Sequence, residues 1–131
     1  MVSITQTREG ARGGDDRIRT VTHGTFDELV LQAGRPTVVE FMSYGCSHCR
    51  ALEPVLQEVA TMVSADVTFV RVNVAVEQRL ADSYGVRGTP TLVMFSGGQE
   101  VGRVEGPLPT TASVLAAVTQ PFEDPGAPRS G

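Results

Sequence analysis

Two cysteines at the junction of a strand pattern and a helix pattern place the strongest constraint on how this chain folds. The β-forming run Thr37–Met42 leads through a short break into the sequence CSHC at residues 46–49. Apolar residues then recur at helical spacing, at Leu52, Val55, Leu56, Val59 and Val63. The sequence therefore predicts a strand followed by a helix over about residues 46–63, with both cysteines at the start of the helix.

The start of a helix changes the chemistry of a thiol. Its unpaired backbone N–H groups and partial positive charge favour the thiolate over the neutral thiol. A cysteine of pKa about 8.5 can fall to roughly 3.5 to 7.5 in a Cys-x-x-Cys pair at this position. We expect Cys46 to be the exposed, acidic nucleophile that opens a disulfide in another protein. Cys49, one turn further on, should be shielded and should resolve the mixed disulfide by closing onto Cys46.

A structural zinc half-site and inert core thiols are the alternative interpretations of this pair. Zinc normally takes about four ligands. Only His23 and His48 could add nitrogens, and His48 lies inside the motif itself. The spacing therefore favours redox chemistry. Such chemistry needs no metal and no organic cofactor, because the dithiol itself carries the two electrons.

Composition and charge limit the domain number, the partners and the location that are expected for this protein. A chain of 131 residues with 40% hydrophobic residues and a net charge of −4 fits one globular domain, which we expect to be a monomer. Its charges form no basic stripe, which argues against nucleic acid and anionic membranes as partners. No apolar run of membrane length and no signal pattern are visible, so a cytoplasmic location is expected. A protein whose signal peptide had been removed would look the same, so a periplasmic or extracytoplasmic location is the alternative.

The remaining patterns alternate strands with helices, which predicts an α/β fold with a mixed central β-sheet flanked by helices on both faces. Further strands are expected at Ile18–Thr22, Val67–Val74, Thr91–Phe95 and Gln99–Glu105. Helices are expected at Thr25–Ala33, with Thr25 and Glu28 as a capping box, at Val76–Tyr84 and at Thr110–Val118. Pro54 lies inside the central helix. Residues 17–119 then form the domain, between a flexible tail at residues 1–16 and a disordered tail at residues 120–131.

Several of these features together resemble the thioredoxin family, over roughly Ile18–Thr119. Besides the cysteine pair, the matching features are Phe41, Pro54, the segment Tyr84–Leu92 and Gly106. The resemblance implies a thioredoxin fold and disulfide exchange with protein substrates, with a reductase or an oxidising relay as the recycling partner. It also implies a cis peptide bond before Pro90, with the Thr89 backbone opposite Cys46. The groove for an extended substrate segment is expected at Gly45, Gly88, Thr89, Pro90 and Gly106.

The chain departs from the family pattern around the cysteines. The family usually carries one tryptophan directly before the first cysteine and another after the strand phenylalanine. Gly45 and Met42 occupy these positions here, and the protein has no tryptophan. This loss keeps open an alternative function, in which the chain is a redox-inactive thioredoxin-like module whose groove binds a partner protein.

The pair of residues between the cysteines, which includes His48, also differs from the Gly-Pro pair of reducing thioredoxins. A histidine at this position is more similar to the pattern of protein disulfide isomerases and periplasmic oxidases. A cationic imidazole beside a thiolate stabilises it. A stabilised thiolate makes the corresponding disulfide a better oxidant. We therefore expect His48 to tune Cys46 and to make the protein more oxidising than a typical thioredoxin. The alternative is that His48 is simply a solvated loop residue.

The buried acid of the family falls at Glu40, and Arg71 falls where the family often has a lysine. A carboxylate on an apolar central strand is costly unless it is neutralised or paired. We expect Glu40 to accept a proton from Cys49 as a general base, with Arg71 modulating its charge. A purely structural ion pair between Glu40 and Arg71 is the alternative.

Overall fold

A computed structural model describes residues 16–123 of the chain. Its five strands are β1 (Ile18–Thr20), β2 (Thr37–Met42), β3 (Thr68–Asn73), β4 (Thr91–Ser96) and β5 (Gln99–Glu105). Its four helices are α1 (Asp27–Leu31), α2 (Ser47–Met62), α3 (Gln78–Ser83) and α4 (Thr111–Glu123). This order of strands and helices confirms the prediction. None of the helices within the described residues is long and apolar enough to cross a bilayer.

The five strands form one mixed sheet in the order β1-β3-β2-β4-β5. β3 pairs in parallel with β1 and β2, whereas β4 pairs antiparallel with β2 and with β5. In the register between β2 and β3, Glu40 lies directly beside Arg71. The predicted mixed central sheet is therefore confirmed, and its register brings the two charged candidates together.

Each face of the sheet carries its own core, because successive strand residues point to opposite faces. α2 and α4 cover one face, in a core that contains Val38, Leu52, Leu56, Val59, Phe69, Leu92, Val114 and Val118. α1 and α3 cover the other, in a core that contains Phe26, Val30, Val39, Phe41, Val72, Ala81, Val93 and Phe95. All six residues of β2 are buried, as expected for a central strand that is covered on both faces. The predicted helices on both faces are confirmed.

The central helix α2 runs without interruption through Pro54, as the apolar spacing predicts. Cys46 is its N-cap residue and has an extended backbone. The strand β2 ends four residues earlier, so that β2 and α2 together fix the position of Cys46 at the edge of the sheet.

The capping box predicted for α1 is wrong. α1 is a five-residue π-helix whose N-cap is Phe26, and no side chain among residues 16–123 caps it. Thr25 instead turns back toward the end of β1, where its Oγ1 accepts a hydrogen bond from the Thr22 N–H at 3.0 Å. Its hydroxyl therefore closes the turn before the helix and does not cap the helix itself.

The last helix ends later than predicted. α4 continues beyond Val118 to Glu123 and includes Pro121, so the expectation of disorder is wrong for residues 120–123. Packing explains the difference: Phe122 lies against the α2-side core, and a Cβ placed on Gly102 of β5 would come within 2.7 Å of Pro121 Cγ. Residues 124–131 of the predicted C-terminal tail, and residues 1–15 of the predicted N-terminal tail, lie outside the described residues.

Candidate active site

The two cysteines occupy the first turn of α2 and differ sharply in exposure. Cys46 is partly exposed, whereas Cys49 is only 2% exposed, and both are free thiols. The backbone N–H of Cys49 donates a hydrogen bond to Cys46 Sγ at 3.1 Å. The expected difference between an accessible and a shielded sulfur is therefore present.

The surroundings of the two sulfurs shift their acidities in opposite directions. Burial raises the pKa of Cys46, but hydrogen bonds from the Cys49 thiol and from the backbone N–H groups of Cys49 and His48 outweigh it, and the pKa falls below that of an ordinary thiol. Burial and the hydrogen bond to Cys46 raise the pKa of Cys49 to about 11. Cys46 is thus the sulfur that ionises first, and Cys49 holds its proton.

The loop before β4 lies opposite Cys46, as the family resemblance implies. The peptide bond between Thr89 and Pro90 is cis. Cys46 Sγ lies 3.7 Å from the carbonyl oxygen of Thr89. The N–H of Gly106 donates to the Pro90 carbonyl at 2.8 Å, and the φ angle of 57° at Gly106 lies in the region that glycine adopts at little cost.

An open groove of about 380 Å³ runs beside this loop and reaches Ser43, Arg87, Gly88 and Thr89. Gly45 and Gly106 are exposed. Their contact with a substrate segment stays a prediction.

His48 is exposed, and its ring lies against Gly106: a Cβ built on Gly106 would be 3.7 Å from His48 Cε1. Its backbone N–H contributes to the lowered pKa of Cys46. Among the hydrogen bonds of residues 16–123, none joins the His48 ring to Cys46. Tuning of Cys46 by the imidazole therefore stays a prediction.

Glu40 lies on the α2 face of the sheet and is completely buried. Within the described residues, neither of its carboxyl oxygens has a hydrogen-bond partner, and the nearest cationic atom is Arg71 Nε at 3.8 Å. Burial and the charge of Glu53 raise the pKa of Glu40 to about 8, although Arg71 acts in the opposite direction. The carboxyl group is therefore largely protonated at neutral pH, which removes most of the cost of burying it.

Comparison with known proteins decides the family. The thioredoxin family model matches residues 17–120 of this chain. The chain belongs to the thioredoxin family. It is 38% identical to thioredoxin 1 of Nostoc sp. over 91 residues, which cover 70% of this chain and 85% of that protein. It is 37% identical to the thioredoxin of Rhodospirillum rubrum over 94 residues, 72% of this chain and 90% of that protein.

A further similarity reaches a larger protein. The chain is 41% identical over 78 residues to protein disulfide-isomerase erp38 of Neurospora crassa, covering 57% of this chain and 21% of that protein. Membership of the thioredoxin family, with a free Cys-x-x-Cys pair in place, supports a thiol–disulfide oxidoreductase. Within residues 16–123, no group of three or more His, Cys, Asp and Glu side chains is arranged to hold a metal ion.

The thioredoxin resemblance did not reveal the residues that bind Arg71. Arg71 Nη2 contacts Glu53 Oε2 at 2.6 Å, and Arg71 Nη1 contacts Asp16 Oδ2 at 3.4 Å. A signal for Glu53 exists in the sequence, because it follows Cys49 by one helical turn and so shares its face of α2. Asp16 carries no such signal, since it comes from the segment that sequence reasoning assigned to the N-terminal tail.

A cavity of about 300 Å³ lies on the same side of the thioredoxin site, between Cys49 and the charged cluster. Its lining includes Cys49, Arg50, Glu53, Arg71 and Asp16. This volume is large enough to admit water, and the charged side chains in its lining offer hydrogen-bond partners.

Proposed function

We propose that this protein exchanges disulfides with protein substrates through Cys46 and Cys49. One observation carries the proposal: an accessible sulfur with a lowered pKa lies one helical turn from a buried sulfur with a raised pKa. This is the pairing that a nucleophile and a resolving thiol require. A redox-inactive binding module would have no need of it.

In the first step, the Cys46 thiolate attacks one sulfur of a substrate disulfide. A bond forms between Cys46 Sγ and that sulfur, and the substrate S–S bond breaks. The electron pair leaves on the second substrate sulfur, which takes a proton from solvent. Gly45, Gly88, Thr89, Pro90 and Gly106 form the surface along which the substrate segment lies.

In the second step, the ionised form of Glu40, which is the minority form at neutral pH, takes the proton of Cys49, and the Cys49 thiolate then attacks Cys46 Sγ. The mixed disulfide breaks, the substrate leaves as a second thiolate, and the Cys46–Cys49 disulfide forms. In the resting protein this proton transfer is uphill, because the pKa of Cys49 is about 11 and that of Glu40 is about 8. Formation of the mixed disulfide removes the Cys46 thiolate, whose charge helps to raise the pKa of Cys49, and so eases the transfer.

The reaction leaves the substrate reduced by two electrons and the protein oxidised. No metal or organic cofactor takes part, because the dithiol carries both electrons. A reductase returns the protein to the dithiol if it acts as a reductant, and an oxidising relay restores the disulfide if it acts as an oxidant. The hydrogen bonds that stabilise the Cys46 thiolate, together with the adjacent imidazole of His48, support a potential above the roughly −270 mV of thioredoxin.

Single serine substitutions test this function with insulin as the substrate and dithiothreitol as the reductant. Cys46→Ser should abolish catalysed reduction, because the nucleophile is gone. In a separate incubation without dithiothreitol, Cys49→Ser should trap a covalent complex with insulin through Cys46, and added dithiothreitol should release it. Ser64→Ala, at an exposed position two residues after the end of α2, is the matched control and should retain full activity. Wild-type activity in Cys46→Ser would contradict the proposal and favour a redox-inactive module.

A further inference from the structure

Three carboxylates surround the guanidinium of Arg71 at clearly different distances. Glu53 Oε2 lies 2.6 Å from Nη2, Asp16 Oδ2 lies 3.4 Å from Nη1, and Glu40 Oε1 lies 3.8 Å from Nε. Glu40 is the only one of the three that is fully buried, and it is the most distant. The Arg71 guanidinium therefore lies closer to the two more exposed acids, Glu53 and Asp16, than to Glu40.

A second contact fixes Glu53 in this position. Gln57 Nε2 donates to Glu53 Oε2 at 2.8 Å and to Asp16 Oδ1 at 2.9 Å. The same Glu53 oxygen therefore accepts hydrogen bonds from both Arg71 and Gln57. Gln57 lies one helical turn after Glu53 and holds the two outer acids together.

The remaining donors of Arg71 leave Glu40 with only one long ionic contact, the 3.8 Å from Nε, and no hydrogen bond from Arg71. Nη1 also donates to the Ile18 carbonyl at 3.0 Å, so both ends of the guanidinium fork are occupied. Nε, the atom that faces Glu40, has no hydrogen-bond partner within the described residues, and neither do the carboxyl oxygens of Glu40. An arginine beside a buried carboxylate commonly forms a bidentate pair with short contacts, and that arrangement is absent here.

We propose that Glu53 is a positioning residue: its carboxylate binds the Arg71 guanidinium and prevents Arg71 from forming a short, hydrogen-bonded pair with Glu40, so that the Glu40 carboxylate keeps a high affinity for a proton. This inference rests on the proposed function, in which Glu40 takes the proton of Cys49. A base that titrates near the working pH is stronger than one held ionised by an arginine. Glu53 therefore sets how well Glu40 can accept that proton.

The charged groups that act on Glu40 come from three directions. They are Arg71 on β3, Glu53 on α2, Cys46 at the N-cap of α2, and Asp16 before β1. β4, the other neighbour of β2, places the apolar Leu92 beside Glu40. Arg71 is the cation among these groups. The acid that it binds most closely therefore determines how easily Glu40 ionises.

Titration of Glu40 in Glu53 variants tests the proposal. The side-chain carboxyl carbons of glutamate are labelled with ¹³C, and the Glu40 resonance is assigned by its loss in Glu40→Gln. In Glu53→Gln, the Glu40 midpoint should fall by about 1 to 3 pH units, because Arg71 gains Glu40 as its partner. Glu53→Ala removes the acceptor as well as the charge and should lower the midpoint at least as far. Both changes are at a partly exposed helix position, so the core is unaltered.

Glu58→Gln is the matched control, because Glu58 lies on the same helix but contacts Thr111 at 3.0 Å instead of Arg71. It should leave the Glu40 midpoint unchanged. A wild-type or higher midpoint in both Glu53 variants would overturn the proposal.

Release of the mixed disulfide separates this inference from the proposed function. If Glu53 acts through Glu40, the midpoint of the pH profile for release should move down with the Glu40 titration in Glu53→Gln. If Glu40→Gln releases substrate at the wild-type rate, the general-base role fails. The NMR titration then still decides whether Glu53 controls the protonation of Glu40.

Discussion

Glu40 is the residue whose chemistry depends most on its surroundings. Its carboxyl oxygens have no hydrogen-bond partner among residues 16–123, and its strand is buried, so the neutral acid is the favoured form at neutral pH. The folded protein therefore retains a proton that the unfolded chain releases. This difference makes the stability of the fold depend on pH.

Glu40→Gln should stabilise the protein at high pH and leave it unchanged at low pH. Below pH 4.5 both states hold the proton; between pH 4.5 and about 8 only the folded state does, so wild-type stability falls as the pH rises. The gain at pH 8.5 should be on the order of 4 kcal/mol. Urea denaturation of the reduced proteins at pH 4.5 and pH 8.5 measures it. Glu58→Gln should show no such dependence, and a gain for Glu40→Gln that is equal at both pH values would contradict the assignment.

His48 offers a second residue-scale prediction, because its ring and its backbone can be separated. His48→Ala keeps the backbone N–H that lowers the pKa of Cys46 and removes only the imidazole. If the ring stabilises the thiolate, the reduction potential should fall by about 20 to 40 mV, toward that of thioredoxin. Equilibration with glutathione buffers measures the potential. Ser47→Ala, also between the cysteines, should leave the reduction potential unchanged. An unchanged potential in His48→Ala would mean that the ring is merely solvated.

At the scale of single elements, periodicity identified the strands and the central helix because their apolar residues face a core. The same reasoning failed at helix ends, because tertiary contacts determine how a helix is capped and where it ends. Thr25 bonds to the preceding turn instead of capping α1, and Pro121 remains helical because α4 packs over β5 at Gly102. No local pattern in the sequence reports either contact.

α2 supplies the element-scale prediction, since it carries both the cysteines and a large share of one core. Leu56 is fully buried against the sheet. Leu56→Ala should lower the free energy of unfolding by about 2 to 5 kcal/mol, from lost burial and the cavity left behind. Met62→Ala, at the end of the same helix where the side chain is 54% exposed, should cost far less. Equal losses in urea denaturation would contradict the packing of α2.

At the scale of the whole molecule, the site is assembled from segments that are distant in the chain. The cysteine pair is local, so its position, and with it the proposed nucleophile and resolving thiol, could be predicted from the sequence. The family resemblance supplied the cis peptide bond before Pro90 and the candidate pair Glu40 and Arg71. The actual partners of Arg71 depend on the β2–β3 register and on contacts with α2 and the segment before β1. The helical spacing places Glu53 on the face of Cys49, but no sequence pattern places Asp16 beside Arg71.

The proposed chemistry depends on one property of the site: the start of α2 holds Cys46 as a thiolate while Cys49 stays protonated. Alkylation of the reduced protein by iodoacetamide, followed from pH 4 to pH 10 with the modified cysteine identified by mass spectrometry, tests it most directly. We expect Cys46 to react first, with a midpoint below the roughly 8.5 of an ordinary thiol, and Cys49 to be unmodified at neutral pH. A midpoint at or above that of an ordinary thiol, or earlier reaction of Cys49, would contradict it.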